Sequence, residues 1–334
     1  GPTVEMQKTF RVARVDEAVM ERLGCDCRAV RLKPSAEVPS PVRSEAGAFT
    51  DLWGVKWRRQ DYDYGYYWEM AGHPLAEASI DDLGAYAWPD ALDPGLTAGL
   101  AEDAKALYEG TDYAIIGDPG IKSLWEISYL LRGLERMLMD LVLDPAFVKA
   151  LLERLLEINI TVAGRFLDAV GPYIQVFRAA DDLATQRAPL MSPATFRQLY
   201  KPYYRRYFDF VRSRTEAKLF FHSCGNVVPL LDDLIDIGVD IINPVQVRAM
   251  GDTADLKRRF GERVVFWGGV DTQRVLPYGS TDMVRAEVGR CIRDLAPGGG
   301  YVAGAVHNIQ PDVPPENILA MADAVSDLGK YPIK

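Results

Sequence analysis

The stretch Ala217 to Gln246, AKLFFHSCGNVVPLLDDLIDIGVDIINPVQ, decides how this chain folds. An apolar run, Ala217 to Phe221, ends in polar His222, Cys224 and Gly225. A segment of helical period follows, and a second apolar run, VDIINPVQ, closes the unit. Strand, helix, strand in that order implies two parallel strands joined by a right-handed crossover. Runs that are apolar on both faces suit a sheet covered by helices. The same alternation continues downstream through VVFWGGVD and YVAGAVH, each followed by a helical stretch. Upstream it includes YAIIGD (113–118), the amphipathic EISYLLRGLERMLMDLVL, a helix opened by Asp144-Pro145, YIQVFRAADD (173–182), and a helix opened by Ser192-Pro193.

Such units build either an open doubly wound sheet or a closed barrel. No G-x-G-x-x-G follows a strand, so the dinucleotide fingerprint of the open sheet is missing. Polar side chains end nearly every strand: Asp118, Asp181 with Asp182, His222 with Cys224, Asn243 with Gln246, Asp271, and His307. A ring of functional groups at the carboxyl ends of successive strands is the layout of a barrel active site. The expectation is an α/β protein, a (β/α)8 TIM barrel with an N-terminal elaboration. It reads as one domain over 1–334, with an extension and the first barrel elements in 1–110 and regular β/α units in 111–334. The extension, rich in Trp and Tyr and broken by Gly and Pro, reads as hairpin-like strands and a loop.

A chain of 334 residues with 48% hydrophobic content can bury a large core. Its net charge of -9 argues against a nucleic-acid footprint, which requires a basic face. No apolar run reaches the roughly 20 residues of a membrane span, and no signal-peptide pattern is seen at the N-terminus. The expectation is a cytoplasmic protein without nucleic-acid or membrane partners; Gly1 and Pro2 read as a cleavage scar. Four cysteines make a poor disulfide framework and stay available as thiols. Cys25, Cys27 and the helical Cys291 read as ordinary thiols, and His73 as structural.

Residues i and i+2 of a strand share a face, so His222 and Cys224 point the same way. Imidazole and thiolate together favour zinc over calcium or magnesium. The third donor must come from elsewhere, and His307 is the other histidine at a strand end. Asp181, Asp182 or Glu126 could complete the set, with one position left open for substrate. Against this stands the alternative that the His-x-Cys pair is a satisfied part of a packed core. Asp182, Gln186 and Asp271 are candidate catalytic residues. Asp181, Asn243 and Gln246 are candidate substrate-binding residues, each open to a reading as a cap or a satisfied buried polar group. Tyr64, Tyr66 and Trp68, with Tyr62 and Tyr67, could wall a substrate pocket or simply pack the extension.

The stretches FHSCGNVVPLLDDLIDIGVDIINPVQ, VVFWGGVDTQRVLPYGSTDMVRAEV and GGYVAGAVHNIQPDVPPENILAM, in that order, resemble the uroporphyrinogen decarboxylase superfamily. DLWGVKW, HPLAEASIDDLGAYAWPD and LRGLERMLMDLVLDP extend the resemblance to nearly the whole chain. The family fold is a (β/α)8 barrel. Its decarboxylase carries an R-Q-A-G-R-type signature that binds porphyrin carboxylates, and no such stretch occurs here. The narrower resemblance is to the cobalamin-dependent methyltransferases, whose His-x-Cys matches His222 and Cys224. Their third zinc ligand is a cysteine near the end of the last strand, where this chain has His307. The resemblance implies a zinc-dependent transfer of methyl from a small donor, such as a methoxylated aromatic, to a corrinoid (cobalamin). No D-x-H-x-x-G motif occurs, so the corrinoid is expected on a partner protein. Two alternatives remain: transfer from methylcorrinoid to a thiol, and a metal-free barrel that binds or decarboxylates a tetrapyrrole-like ligand. Oligomeric state is not legible.

Overall fold

A computed structural model of the protein describes residues 5–7, 12–13, 15–33, 47–62, 65–120 and 124–333. Its strands are β1 (Glu5–Gln7), β2 (Val12–Ala13), β3 (Cys27–Arg31), β4 (Ala48–Thr50), β5 (Lys56–Tyr62), β6 (Gly65–Gly72), β7 (Ala114–Asp118), β8 (Val176–Ala180), β9 (Lys218–His222), β10 (Ile241–Asn243), β11 (Val265–Val270) and β12 (Tyr301–Ala305). The chain divides into two compact units, each made of separated segments. One comprises Gly1–Arg14, Arg28–Asp181 and Ala194–Ala217; the other comprises Val15–Cys27, Asp182–Pro193 and Lys218–Lys334.

In the first unit, β4, β5 and β6 form an antiparallel sheet, the hairpin-like extension that the aromatic-rich sequence implies. Trp57 is buried, and its indole N–H donates to Asp51 Oδ2 at 2.9 Å. Strands β7 and β8 pair in parallel, Ile116 opposite Val176, with β3 on the other side of β7. The stretch that reads as one amphipathic helix is two, Trp125–Arg132 and Leu134–Leu143, because Gly133 adopts φ +91°. That backbone is open to glycine and strained for other residues. Asp144 caps the following helix, Pro145–Val170, by accepting the Phe147 N–H, and proline at the first turn costs no hydrogen bond. The Ser192-Pro193 start leads through a π-helical turn, Phe196–Tyr200, into Lys201–Arg212.

In the second unit, β9, β10, β11 and β12 are parallel neighbours in chain order. Leu219, Phe220 and Phe221 are all buried, as expected of a strand covered on both faces. Helices Leu231–Asp236, Thr253–Phe260, Thr281–Leu295 and Pro315–Leu328 alternate with these strands. A core of Val270, Leu276, Val284, Val288 and Ile292 joins β11 to the helix Thr281–Leu295. Each of those side chains contributes roughly 1.5–3 kcal/mol by leaving water.

The architecture is mixed α/β, with each strand from β7 to β12 followed by helix. With β3, that makes seven strands apart from β1, β2 and the antiparallel sheet. The eighth strand and the closure of a full (β/α)8 barrel are not found among the described residues.

Candidate metal centre

The site is built where β9 and β10 end. Their register sets His222 opposite Asn243, so the two side chains stand beside each other. His222 Nδ1 lies 2.6 Å from Asn243 Oδ1. The Asn243 amide nitrogen donates to Trp267 O at 3.3 Å, which turns its oxygen toward the imidazole. Nδ1 is therefore the protonated nitrogen, and Nε2 bears the lone pair a metal takes. Nε2 faces Cys224 Sγ at 3.5 Å.

Past β9 the chain must turn sharply. Gly225 has φ +88°, and a Cβ there would lie 2.5 Å from Thr185 O and 2.7 Å from Ala184 O. Between the two donors, buried Ser223 donates its N–H to Asn243 O and accepts the Leu183 N–H on its hydroxyl. The Cys224 N–H donates to Asp182 Oδ1 at 2.8 Å, and the same carboxylate oxygen is 3.9 Å from His222 Nε2.

His307 sits two residues beyond β12 and is exposed. One ligand atom each from His222, Cys224 and His307 lie within 4.8 Å of one another. Zinc–nitrogen bonds of about 2.0–2.1 Å and a zinc–sulfur bond of about 2.3 Å, at tetrahedral angles, hold N and S about 3.5 Å apart. The His222–Cys224 spacing has that value, and a His307 ring nitrogen lies within 4.8 Å of both donor atoms. Two imidazoles and a thiolate are a donor set suited to zinc, with a fourth position left for a ligand.

A cavity of about 320 Å3 adjoins the donors, with Cys224 and His307 in its wall. Gln186, Gln246, Thr272, Gln273, Asn308 and Gln310 line it as well. Gln246 is buried and engaged at both ends: Oε1 accepts the Gly225 N–H at 2.8 Å, and Nε2 donates to Gln186 Oε1 at 2.7 Å. It holds Gln186 at the cavity wall. Asp182 is half-exposed. Asp271 is buried, accepts the N–H groups of Gln273 and Arg274, and pairs with Arg248 at 3.5 Å. It therefore holds the turn that presents Thr272 and Gln273. Sequence reasoning did not single out Thr272, Gln273, Asn308 and Gln310. The signal for them is position, one to three residues past the strand-end groups Asp271 and His307.

Other expected residues are engaged in the first unit. Asp181 accepts the N–H groups of Leu124, Trp125 and Glu126 at 2.6–2.7 Å, and the Tyr204 hydroxyl. That saturates its carboxyl and caps the helix Trp125–Arg132. Burial, with Glu126 nearby, pushes this carboxyl up to about 7 against the pull of its donors. Trp68 meets Phe49 edge-on, and Tyr66 lies under Arg59 at 4.2 Å, both packing within the antiparallel sheet. Tyr64 is outside the described residues. His73 Nδ1 lies 2.8 Å from Leu130 O, a contact that anchors the chain. Cys291 is buried, and no disulfide joins the cysteines.

Parallel strands alternating with helices, and a His–Cys–His cluster at their carboxyl ends, define an α/β protein with a candidate metal centre. Residues 120–328 match the family Uroporphyrinogen decarboxylase (URO-D), and the chain belongs to that family. It is 29% identical over 201 residues to a uroporphyrinogen decarboxylase of Xanthomonas euvesicatoria, covering 56% of this chain and 54% of that protein. The chain thus spans about half the length of the curated decarboxylases it matches. It is 28% identical over 254 residues to Methylcobamide:CoM methyltransferase MtaA of Methanosarcina barkeri, covering 72% of this chain and 67% of that one. A solved methyltransferase from Methanosarcina mazei shares the fold, with TM-score 0.66 and 22% identity over 94% of this chain and 83% of that one. No helix among the described residues is long and apolar enough to cross a membrane.

Proposed function

We propose that the chain is a zinc-dependent methyltransferase that moves a methyl group from a small donor to the corrinoid of a partner protein. The observation that carries this reading is the cluster of His222, Cys224 and His307 beside a cavity, with Asn243 fixing the His222 ring. His222, Cys224 and His307 would hold the ion. A bound zinc supplies a Lewis acid for charge that develops on the leaving oxygen.

The chain's own groups do the rest. Asn243 keeps the His222 proton on Nδ1. Asp182 fixes the Cys224 backbone, and its carboxylate with the Cys224 thiolate would balance a divalent cation held there. Gln186 and Gln273 orient the donor at the cavity wall, which turns a bimolecular encounter into a placed one. In the overall transfer the C–O bond of a methyl ether breaks and its electron pair stays on oxygen. The methyl goes to the corrinoid nucleophile, and the oxygen later takes a proton from water.

The opposite direction, methylcorrinoid to a thiol, is favoured by the likeness to the Methylcobamide:CoM methyltransferase of Methanosarcina barkeri. One experiment separates the two. Purified protein is analysed for zinc, then incubated with reduced cobalamin and methoxylated aromatics, or with methylcobalamin and thiols, and the corrinoid spectrum is followed. About one zinc per chain and demethylation of an ether support the proposal. Methyl transfer only to thiols reverses its direction, and absence of zinc after supplementation overturns it.

A further inference from the structure

The cavity wall is unusual in its charge. Five carboxamides, Gln186, Gln246, Gln273, Asn308 and Gln310, and the hydroxyl of Thr272 line it beside Cys224 and His307; Val306 completes the lining. Among the described residues no lysine, arginine, aspartate or glutamate does so. The nearby charges are already satisfied: Arg248 pairs with Asp271, which also accepts two backbone N–H groups. A divalent ion at the donors would be balanced by the Cys224 thiolate and the Asp182 carboxylate. A charged ligand in this cavity finds no side chain of opposite charge among the described lining residues to pair with.

A carboxamide offers both donors and an acceptor. The Gln186 oxygen is taken by Gln246, which leaves the Gln186 amide hydrogens, without a partner among the described residues, to serve a ligand. A wall of this kind matches an uncharged molecule that also carries both donors and acceptors. A site built to pair with such a group discriminates strongly against analogues that leave its polar groups unpaired.

We infer that the molecule bound beside the metal centre is an uncharged small molecule carrying a carboxamide or hydroxyl groups, and that Gln186 and Gln273 read it. The inference rests on the methyl-transfer reading for the ligand's place, whereas the ligand's charge class is read from the lining alone. It sets aside polycarboxylates and anionic thiols as occupants.

The test uses isothermal titration calorimetry on the zinc-loaded protein with two probes, para-methoxybenzamide and para-methoxybenzenesulfonate, the sulfonate being chosen as a poor zinc ligand. The amide is expected to bind at least tenfold more tightly. Gln273→Arg places a cation on an exposed wall position and is expected to narrow or invert that preference; Gln186→Leu is expected to weaken the amide alone. Equal or tighter binding of the sulfonate to the native protein overturns the inference, as does failure of either probe to bind, or an unchanged preference in Gln273→Arg. Ether demethylation together with sulfonate preference would remove the ligand class and leave methyl transfer standing. Amide binding without methyl transfer would do the reverse.

Discussion

Asn243 accepts at His222 Nδ1, and strand register places it there. Asn243→Leu removes the acceptor on Nδ1 and frees the ring to carry its proton on either nitrogen. Zinc affinity is expected to fall about 10–100-fold, measured by competition with a chromogenic chelator. His222→Ala or Cys224→Ala should abolish stoichiometric zinc with little change in circular dichroism; a full zinc complement in either variant would remove the pair from the centre. Asp181 acts on stability. Unfolded, its carboxyl titrates near 3.9; folded, it holds its proton to about 7. Between those values the native state binds more protons, so this contribution is full below the unfolded pKa and is lost as pH rises through the folded one. Urea unfolding should therefore show stability declining between roughly pH 4 and 7 from this group. Asp181→Asn should flatten that decline and lower stability by roughly 1–3 kcal/mol, because its NH2 faces backbone donors. The nearness of His222 and Cys224 was legible from their spacing of two at a strand end, although the strand stops at His222 and the turn places Cys224. The part played by Gln246 was not, since only the fold shows that Gly225 and Gln186 occupy both ends of its amide.

At the scale of the element, β9 and its following turn carry the centre. Gly225→Ala would put a methyl group against two carbonyl oxygens in a backbone region that disfavours side chains. It is expected to cost several kcal/mol. The Tm should drop and zinc content fall together, whereas a stable variant with full zinc would mean that the turn relaxes. The alternation of strand and helix from Tyr113 onward was readable from apolar runs and from Asp-Pro and Ser-Pro starts. The break at Gly133 was hidden, because the apolar period runs across it unchanged and only a φ of +91° reveals the stop. The turn at Phe196–Tyr200 has no sequence mark at all, since a π-turn differs from an α-turn only in which carbonyl each N–H finds.

For the molecule as a whole, a zinc centre seated on strand ends differs from one that holds a fold together. Chelation should leave the far-ultraviolet spectrum unchanged. Zinc at a hundredfold excess over its dissociation constant should add about 2.7 kcal/mol of stability. A chain that unfolds on chelation would show a structural site instead. With a net charge of -9, the protein should not be retained on heparin at about 0.1 M salt, and retention would reopen the nucleic-acid reading. The α/β class was legible because every regular unit repeats one pattern. The number of strands was not, since the irregular first hundred residues give no period from which to count.

The unit that holds the centre is stitched from segments far apart in the chain: Val15–Cys27 opens it, and Lys218–Lys334 completes it. During translation at roughly 5–20 residues per second, His307 leaves the ribosome several seconds after His222 and Cys224. Through that interval the nascent thiol has one imidazole for company and no finished cage. Under the proposed function, metal capture would thus be a late event in the life of each molecule. A cell starved of zinc would accumulate full-length apoprotein rather than stalled fragments, and would rescue that pool without new synthesis once the ion returned.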